Sequence, residues 1–232
     1  MNIWETSKKA QVLGFLQATH FGPTVLVVSI TFLLSLTQFS TLGSLEVAAA
    51  IFAGQCVVGW SNDLVDYPLD AQATRMNKPL VAGKVLPSQL KPAIAVALVT
   101  AMVLSLAGPL GFKGSAIHAL GLLSATTYNF RLKKTRLSVA PYVISFGALP
   151  WAIFLGAGKE PSVWLYLAFI FFASAFHFLN VMKDLEWDIS QGILGLPQLL
   201  GRKRSITVAV VLLLCGVFIL IFKWRTMLGQ HI

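Results

Sequence analysis

Three aspartates stand at helical spacing in the segment NDLVDYPLD. Asp63, Asp66 and Asp70 are spaced i, i+3 and i+7, which turns their carboxylates toward one side of a helix within two turns. A second pair, Asp184 and Asp188, has i, i+4 spacing. Clustered carboxylates repel and raise one another's pKa, so they are costly unless a cation neutralises them. The pattern therefore predicts a site for a hard divalent cation.

Magnesium is the cation that suits these residues. Mg²⁺ takes oxygen ligands, keeps several waters and commonly binds through one or two carboxylates together with the oxygens of a substrate phosphate. Zinc is not indicated, because neither cysteines nor a histidine pair accompany the acids. We therefore expect the two acidic groups to face each other and to hold a diphosphate between them through Mg²⁺.

Basic and amide side chains near the acids supply the other parts of such a site. Arg and Lys neutralise negative charge as it builds on a leaving group. The candidates for this role are Arg75, Lys78, Lys133 and Lys134. Two amides, Asn62 and Asn180, stand just before the acidic groups, and we expect them to ligate or orient the groups around the metal.

The chain that must position these residues is strongly apolar. Of its 232 residues, 56% are hydrophobic and 12% are charged, and the mean hydropathy is +0.75. That is too little polar material to cover a soluble globule of this size. Apolar runs of roughly 20 residues cross a bilayer, and the sequence predicts an all-α bundle of seven such helices around a central cavity. The predicted spans cover residues 12–37, 45–65, 92–110, 114–130, 139–157, 162–182 and 206–223.

These spans form one predicted domain, residues 1–232. The first run contains Gln17 and His20 and has no clear small-residue cleavage site, so we interpret it as a retained helix and not a signal peptide. The longest connection, about 25 residues, follows the second span, and connections beyond roughly 12–15 residues are usually functional or disordered. Pro68 predicts a kink or the start of a new short helix there. Cys56 and Cys215 lie inside predicted spans, which favours buried thiols over a disulfide.

The basic residues predict the orientation in the membrane. Fourteen of the 18 Lys and Arg fall at the N-terminus and in the loops after spans two, four and six. The positive-inside rule places these parts, with both acidic groups, on the cytoplasmic face, and a prokaryotic plasma membrane is the expected location. The net charge of +9 is spread over separate juxtamembrane sites. It is better explained by topology and anionic lipid than by nucleic acid.

The space between the spans is predicted to be apolar and aromatic, which suits an isoprenoid tail. Aromatic faces also stabilise cations, including an allylic cation left by a departing diphosphate. The candidate wall residues are Trp60, Tyr128, Phe146, Trp151, Phe172 and Phe176.

At this point the motifs resemble those of the UbiA-type intramembrane prenyltransferases. The family's NDxxDxxxD signature is similar to Asn62–Asp70, its RxxN(R/K)P stretch to Arg75–Pro79, and its DxxxD signature with a following Gly to Asp184–Gly192. A cytoplasmic YxxxK-type element is similar to YNFRLKK, with Tyr128 and Lys133 one residue further apart than is common.

The resemblance implies an enzyme that transfers a prenyl group from a Mg²⁺-bound prenyl diphosphate to a lipophilic, often aromatic acceptor in a mostly helical membrane fold. It implies that the five aspartates act in catalysis and hold the metal. It assigns the diphosphate to seven residues: Asn62, Arg75, Lys78, Tyr128, Lys133, Lys134 and Asn180. Family members commonly have nine transmembrane helices, so we expect the last two to be missing here, or a second copy of the chain to complete the wall.

Other functions stay open on the residues alone. A membrane terpene cyclase would use the same ionisation. A truncated, inactive protein would bind an isoprenoid without turning it over. A divalent-cation transporter would also use acidic pairs, although its carboxylates are expected near the bilayer midplane.

Several polar residues near the motifs favour a structural interpretation. His118 and His177 are expected to be packed inside the bundle. Lys183 and Glu186 are expected on a solvated face. Residues 202–204 (RKR) are expected to anchor the last span at the cytoplasmic surface.

Overall fold

The regular structure of the described chain is entirely helical. A computed structural model describes residues 8–228, and describes side chains for residues 8–223. The helices are α1 (Lys8–Ala18), α2 (Phe21–Ser35), α3 (Thr41–Gln72), α4 (Pro87–Ala107), α5 (Gly111–Phe130), α6 (Ala140–Gly156), α7 (Val163–Val181), α8 (Leu185–Ser190) and α9 (Leu196–Leu228), with a 3₁₀ turn at Leu132–Lys134. Gly201, at φ 75° and ψ 167°, interrupts α9.

Each predicted span falls on a helical region. By length and composition α3, α4, α7 and the Leu196–Lys223 part of α9 are able to cross a membrane, and α1 with α2 adds a fifth span if the bent pair counts as one. The predicted spans 114–130 and 139–157 fall on α5 and α6, of which α6 is apolar but only 17 residues long. The predicted all-α membrane fold is confirmed.

Two compact units divide the chain, one ending at Ser115 and the other beginning at Ala116. The single domain predicted for residues 1–232 stays a prediction. In the first unit, α2 and α4 pack against α3. Ser40 begins α3, since its side chain accepts a hydrogen bond from the backbone N–H of Gly43. At 1.5 Å per residue a 32-residue helix is about 48 Å long, which exceeds a hydrocarbon core of about 30 Å.

The first predicted span is not one helix, which corrects the prediction. It is broken between α1 and α2, which meet at 63°, with His20 in the left-handed region at φ 55°. Pro23 explains the break, because in a continuous helix its ring would clash with the carbonyl of Thr19 and it has no N–H to donate. The hydroxyl of Thr24 donates to that carbonyl at 2.7 Å instead.

Gly59 allows α3 to pack closely against the break between α1 and α2. A Cβ at this position would lie 2.7 Å from the carbonyl oxygen of Ala18 and 2.9 Å from that of Thr19. Because both contacts are to backbone, only a glycine allows this distance without a shift. The contact brings His20 beside α3 one turn before Asp63.

Pro68 does not begin a new helix, contrary to one of the two outcomes predicted for it. Helix α3 continues through it to Gln72. Pro68 lies on the exposed side of α3, where the carbonyl of Leu64 that loses its partner is able to meet solvent. The connection to α4 is therefore only residues 73–86, shorter than predicted.

The second unit is built on α7, which packs against α6 and α9. Glycines allow close packing here, as they do between membrane helices generally. A Cβ on Gly147 would lie 2.7 Å from the Tyr166 ring, and a Cβ on Gly216 would lie 2.9 Å from the Phe172 ring.

We expect Gly59→Ala to destabilise the protein, because the added methyl group meets two backbone carbonyls. Overpacking of this kind costs about 1–3 kcal/mol. The matched control is Gly22→Ala, since a Cβ on Gly22 has nothing within 4 Å. Thermal unfolding in detergent, followed by tryptophan fluorescence, measures both. Equal melting temperatures for the two variants would contradict the close approach.

Candidate active site

The first acidic group lies on the C-terminal half of α3. Asp63 and Asp70 are each 3% exposed, and Asp66 and Asn62 are half-buried. The burial of Asp63 and Asp70 agrees with the predicted common face of the helix, since residues seven apart lie nearly in line. Two carboxylates are thus removed from water side by side.

Two basic residues from the segment after α3 neutralise these carboxylates. Lys78 Nζ donates to Asp63 Oδ1 at 2.8 Å and lies 3.9 Å from Asp70 Oδ2. Arg75 Nη1 donates to Asp70 Oδ1 at 3.1 Å. The chain folds back onto α3 here, because Thr74 has a φ of 52° and the N–H of Arg75 donates to the carbonyl of Asp70 at 3.0 Å. Lys78 and Arg75, which are predicted to bind a diphosphate, are thus paired with two of the aspartates predicted to bind the metal.

The charge of Lys78 is maintained by these neighbours. Burial by itself lowers the pKa of an ammonium group, but the carboxylates of Asp63, Asp70 and Asp66 outweigh burial and raise the pKa of Lys78 above its ordinary value. Lys78 is therefore fully protonated at neutral pH and acts as a fixed positive charge within the acidic group.

His20 is a third partner, and the sequence interpretation missed it. Its Nε2 lies 3.1 Å from Asp63 Oδ1, across the close approach at Gly59. The signal in the sequence was the position of His20, a polar residue within an apolar run and three positions before Pro23. The contact depends on the break between α1 and α2, which the sequence interpretation did not include.

The acidic group offers suitable donors for Mg²⁺. Its oxygens are the hard ligands that Mg²⁺ prefers, and Asp63 Oδ2 is buried without a hydrogen-bond partner among the described residues. In the part of the chain that the structure describes, no three or more His, Cys, Asp or Glu side chains come together as a metal site. The residues therefore fit the metal in kind, and other oxygens, such as those of a phosphate, would have to complete its coordination.

The second acidic group lies around α8 in the second unit. Asp184 is exposed and directly precedes α8, and Asp188 is half-buried within it. Gln198, at the start of α9, donates from Nε2 to Asp188 Oδ2 at 2.7 Å. The sequence interpretation missed Gln198, which no motif marks. The predicted meeting of the two acidic groups stays a prediction, since they belong to different units.

Glu186 takes no part in this group, as predicted for a solvated face. It is 73% exposed and pairs with Arg202, whose Nη2 lies 2.6 Å from Oε1. The hydrogen bonds from Arg202 lower the pKa of Glu186 below its ordinary value. Such an exposed pair contributes little stability.

A buried network connects the basic segment 131–138 to α7 and to the start of α9. Lys133 is buried and Lys134 is exposed. Ser138 Oγ accepts from the N–H of Leu196 at 3.0 Å and lies 3.1 Å from His177 Nε2. Gly195 permits the contact, since its Cβ would be 2.6 Å from the carbonyl oxygen of Lys133. The network fixes the lysine segment beside the start of α9.

Both histidines predicted to be packed are buried. His118 is 7% exposed and His177 is 0% exposed. His177 Nδ1 has no hydrogen-bond partner among the described residues.

Tyr128 and Asn180 are brought together by a residue that the sequence interpretation missed. The hydroxyl of Tyr142, on α6, hydrogen-bonds to both of them. The ring of Tyr142 also lies 5.3 Å from the Tyr128 ring and 4.5 Å from the His177 ring. Residues from α5, α6 and α7 therefore form one polar and aromatic cluster in the second unit.

The aromatic wall stays a prediction, and the structure gives contacts for some of the residues assigned to it. Phe146 stacks on Tyr142 with ring centroids 6.2 Å apart. Trp60 instead packs edge-on against Phe15 and donates from Nε1 to the Phe15 carbonyl at 3.2 Å, while Phe172 packs on Gly216. The roles predicted for Trp151 and Phe176 stay predictions. An apolar groove of about 440 Å³ on α7 and α9 is lined by other residues, namely Phe171, Val211, Leu214, Cys215, Phe218 and Ile219.

Comparison with known proteins adds sequence relatives. A 4-hydroxybenzoate octaprenyltransferase from Saccharophagus degradans is 29% identical over 167 residues, which are 68% of this chain and 53% of that protein. A digeranylgeranylglyceryl phosphate synthase from Methanococcus aeolicus is 25% identical over 191 residues, 78% of this chain and 64% of that protein. The chain thus spans between about half and two thirds of the length of these curated relatives.

Solved structures share the fold at low sequence identity. A UbiA homolog from Archaeoglobus fulgidus, solved bound to GPP and Mg²⁺, superposes with a TM-score of 0.76 at 16% identity, over 90% of this chain and 77% of that one. An apo UbiA homolog from Aeropyrum pernix K1 gives a TM-score of 0.64 at 20% identity, over 92% of this chain and 78% of that one.

The family model extends over most of the chain and confirms the resemblance predicted from the motifs. It is the model of the UbiA prenyltransferase family, and it matches residues 20–230. That range contains every predicted site residue, from Asn62 to Asp188, as well as His20. The chain therefore belongs to the UbiA prenyltransferase family.

Proposed function

We propose that this integral membrane protein transfers a prenyl group from a prenyl diphosphate to a lipophilic or aromatic acceptor, in a reaction that depends on Mg²⁺. The observation that carries the proposal is the pair of buried carboxylates, Asp63 and Asp70, held by Lys78 and Arg75 at the end of α3. Buried charges of this density are expensive to maintain for stability alone. Within a membrane protein, buried ionisable residues are usually functional.

The relatives support the same chemistry. The name of the Saccharophagus protein describes octaprenyl transfer to 4-hydroxybenzoate, and the Archaeoglobus homolog was solved with GPP and Mg²⁺. Activity, donor and acceptor are proposals for this chain, which spans only part of its curated relatives.

The aspartates are proposed to hold the donor's diphosphate through Mg²⁺. These are Asp63, Asp66 and Asp70 of the first acidic group and Asp184 and Asp188 of the second. When bound, the metal would supply positive charge that stabilises the departing diphosphate. Gln198 keeps Asp188 oriented, and His20 does the same for Asp63, through the hydrogen bonds described above.

The basic residues are proposed to exchange partners when the donor binds. Lys78 and Arg75 are protonated donors whose present acceptors are carboxylates, and diphosphate oxygens are acceptors of the same kind. Lys133, Lys134 and Tyr128 are proposed to bind the diphosphate from the second unit, with Asn62 and Asn180 orienting the groups around it.

The reaction begins when the bond between the allylic carbon and the diphosphate oxygen breaks, and the electron pair leaves with the diphosphate. The acceptor then attacks the allylic carbon, and a proton leaves the acceptor. Aromatic rings such as that of Phe146 would present faces that favour positive charge. The apolar surroundings keep water from capturing the prenyl group.

The active site is proposed to open toward the cytoplasm of a prokaryotic cell, as the distribution of basic residues predicts. A homo-oligomer stays a prediction. The cyclase alternative shares the ionisation step and differs in releasing a cyclised hydrocarbon or alcohol without an acceptor. Analysis of the products formed without acceptor distinguishes the two.

We expect Mg²⁺-dependent release of diphosphate by the detergent-purified protein given geranyl to long-chain prenyl diphosphates and a mixed lipid extract as acceptor source. Asp63→Asn and Asp184→Asn should each lower release by about 100-fold or more, because charge stabilisation of this kind contributes about 10²–10³ in rate. Glu186→Gln is the control, since Glu186 is exposed and pairs only at the surface.

Melting temperatures of the same variants separate loss of function from loss of fold. Release that continues without Mg²⁺, or that Asp63→Asn leaves intact, would contradict the proposed role of the acidic groups. Loss of release in Glu186→Gln alone would also contradict it.

We expect Lys78→Gln to weaken both the fold and the donor site. Without the ammonium group, Asp63 and Asp70 lose a shared partner, and breaking a buried pair costs about 3–5 kcal/mol. A lower value is expected here, about 2–3 kcal/mol, since the Lys78 side chain is 19% exposed. The Michaelis constant for the donor should rise by about tenfold, which corresponds to about 1.4 kcal/mol.

The matched control is Lys84→Gln, in the same segment, whose Nζ donates to the neutral Gln17. Thermal unfolding and steady-state kinetics measure the two effects separately. A Lys78→Gln variant that melts and binds donor like Lys84→Gln would show that the ion pairs have neither role.

A further inference from the structure

Tyr142 stands out because its side chain contacts two of the residues proposed to bind the donor. Its hydroxyl hydrogen-bonds to the amide of Asn180 and to the hydroxyl of Tyr128. These two residues lie on the last turns of α7 and α5, whereas Tyr142 lies in the first turn of α6. One hydroxyl therefore joins the ends of three helices.

The hydroxyl is unusual for its position. Helix α6 has the sequence APYVISFGALPWAIFLG and is almost entirely apolar. Its other hydroxyl, on Ser145, donates to the carbonyl of Gly121 at 2.9 Å and is thereby accounted for in helix packing. A phenylalanine would provide the same ring contacts as Tyr142, so packing alone does not explain the phenolic oxygen.

The ring of Tyr142 is itself held in place. It stacks parallel to Phe146 with an interplanar angle of 6°, meets Tyr128 edge-on at 87° and lies 4.5 Å from the His177 ring. His177 in turn is bound to Ser138, which accepts from the N–H of Leu196. The hydroxyl therefore has a fixed position between Tyr128 and Asn180.

A hydroxyl in a fixed position restricts the hydrogen bonds that Tyr128 and Asn180 are able to form. A tyrosine hydroxyl has one proton and two lone pairs, and an amide has both donors and an acceptor. If Asn180 donates to the Tyr142 oxygen and Tyr142 donates to the Tyr128 oxygen, the Tyr128 proton is left for a further acceptor. Groups oriented before the substrate arrives need no reorganisation when negative charge develops.

We propose that Tyr142 is a positioning residue for the prenyl donor, acting through Tyr128 and Asn180 to orient them toward the diphosphate. This inference rests on the proposed function, because it takes Tyr128 and Asn180 to be groups that bind the donor. Tyr142 itself is not assigned contact with the diphosphate.

The experiment compares Tyr142→Phe, Tyr128→Phe and the double variant with the wild-type chain. Binding of a non-hydrolysable geranyl thiodiphosphate with Mg²⁺ is measured directly, and the Michaelis constant and turnover number are measured with geranyl diphosphate. Tyr166→Phe is the matched control, since the Tyr166 ring packs on Gly147 in the same unit.

We expect Tyr142→Phe to weaken analogue binding and to raise the Michaelis constant by about 3- to 10-fold, in line with one hydrogen bond. The turnover number should change less, and the melting temperature should stay close to that of Tyr166→Phe. In the Tyr128→Phe background, Tyr142→Phe should have a smaller effect than in the wild-type background, because its main route of action is already removed.

Three results would overturn the inference, and they are distinguishable. Unchanged analogue binding by Tyr142→Phe, with a wild-type chain that binds, would reject the positioning role alone. Effects of the two substitutions that add fully would indicate independent structural contributions. A wild-type chain that does not bind the analogue with Mg²⁺ would overturn the proposed function together with this inference.

Discussion

The ammonium group of Lys78 neutralises two carboxylates that α3 buries side by side. Its contacts with Asp63 at 2.8 Å and with Asp70 at 3.9 Å are the interaction on which the first unit's site depends. Unpaired buried charges carry a large desolvation penalty, so the helix is able to present both acids away from water only if a cation accompanies them. Arg75 also pairs with Asp70, through Oδ1. His20 Nε2 lies 3.1 Å from Asp63 Oδ1, the same oxygen that Lys78 binds.

The local backbone of the first unit is arranged around this charge cluster. Pro23 breaks the first span, and Gly59 allows the break between α1 and α2 to pack closely against α3. His20 therefore lies within hydrogen-bond distance of Asp63. Thr74, in the left-handed region, turns the chain so that Arg75 and Lys78 return to the acids. The same contacts supply a donor site with groups whose partners are exchangeable, because diphosphate oxygens bind the same cations as carboxylates.

In the second unit the candidate site residues are held by hydrogen bonds from uncharged partners, whereas in the first unit ion pairs hold them. Gln198 orients Asp188, and the chain of Ser138, His177 and the N–H of Leu196 fixes the lysine segment beside the start of α9. Tyr142 serves Tyr128 and Asn180 in a similar way. Rigid support from residues outside the motifs is what holds reactive groups in a working geometry.

The sequence predicted the helical membrane fold, the acidic motifs and the family, because these are expressed in composition and in local spacing. It predicted the common face of Asp63 and Asp70 for the same reason. It did not predict His20, Gln198 or Tyr142 as partners, since each contacts a residue that is between 10 and 43 positions away or on another helix. The helix breaks before Pro23 but continues through Pro68. The sequence does not distinguish the two prolines, because the surroundings of a proline determine whether it interrupts a helix.

The proposed function requires that aspartates of both acidic groups hold one prenyl diphosphate through a divalent metal. The most direct test is the affinity for Mn²⁺, used in place of Mg²⁺ and followed by electron paramagnetic resonance, with and without a non-hydrolysable prenyl thiodiphosphate. Because linkage is reciprocal, the account predicts that the analogue raises the Mn²⁺ affinity at least about tenfold, and that Asp70→Asn and Asp188→Asn each remove this increase. A Mn²⁺ affinity that does not depend on the analogue, or an increase that survives in either variant, would contradict it.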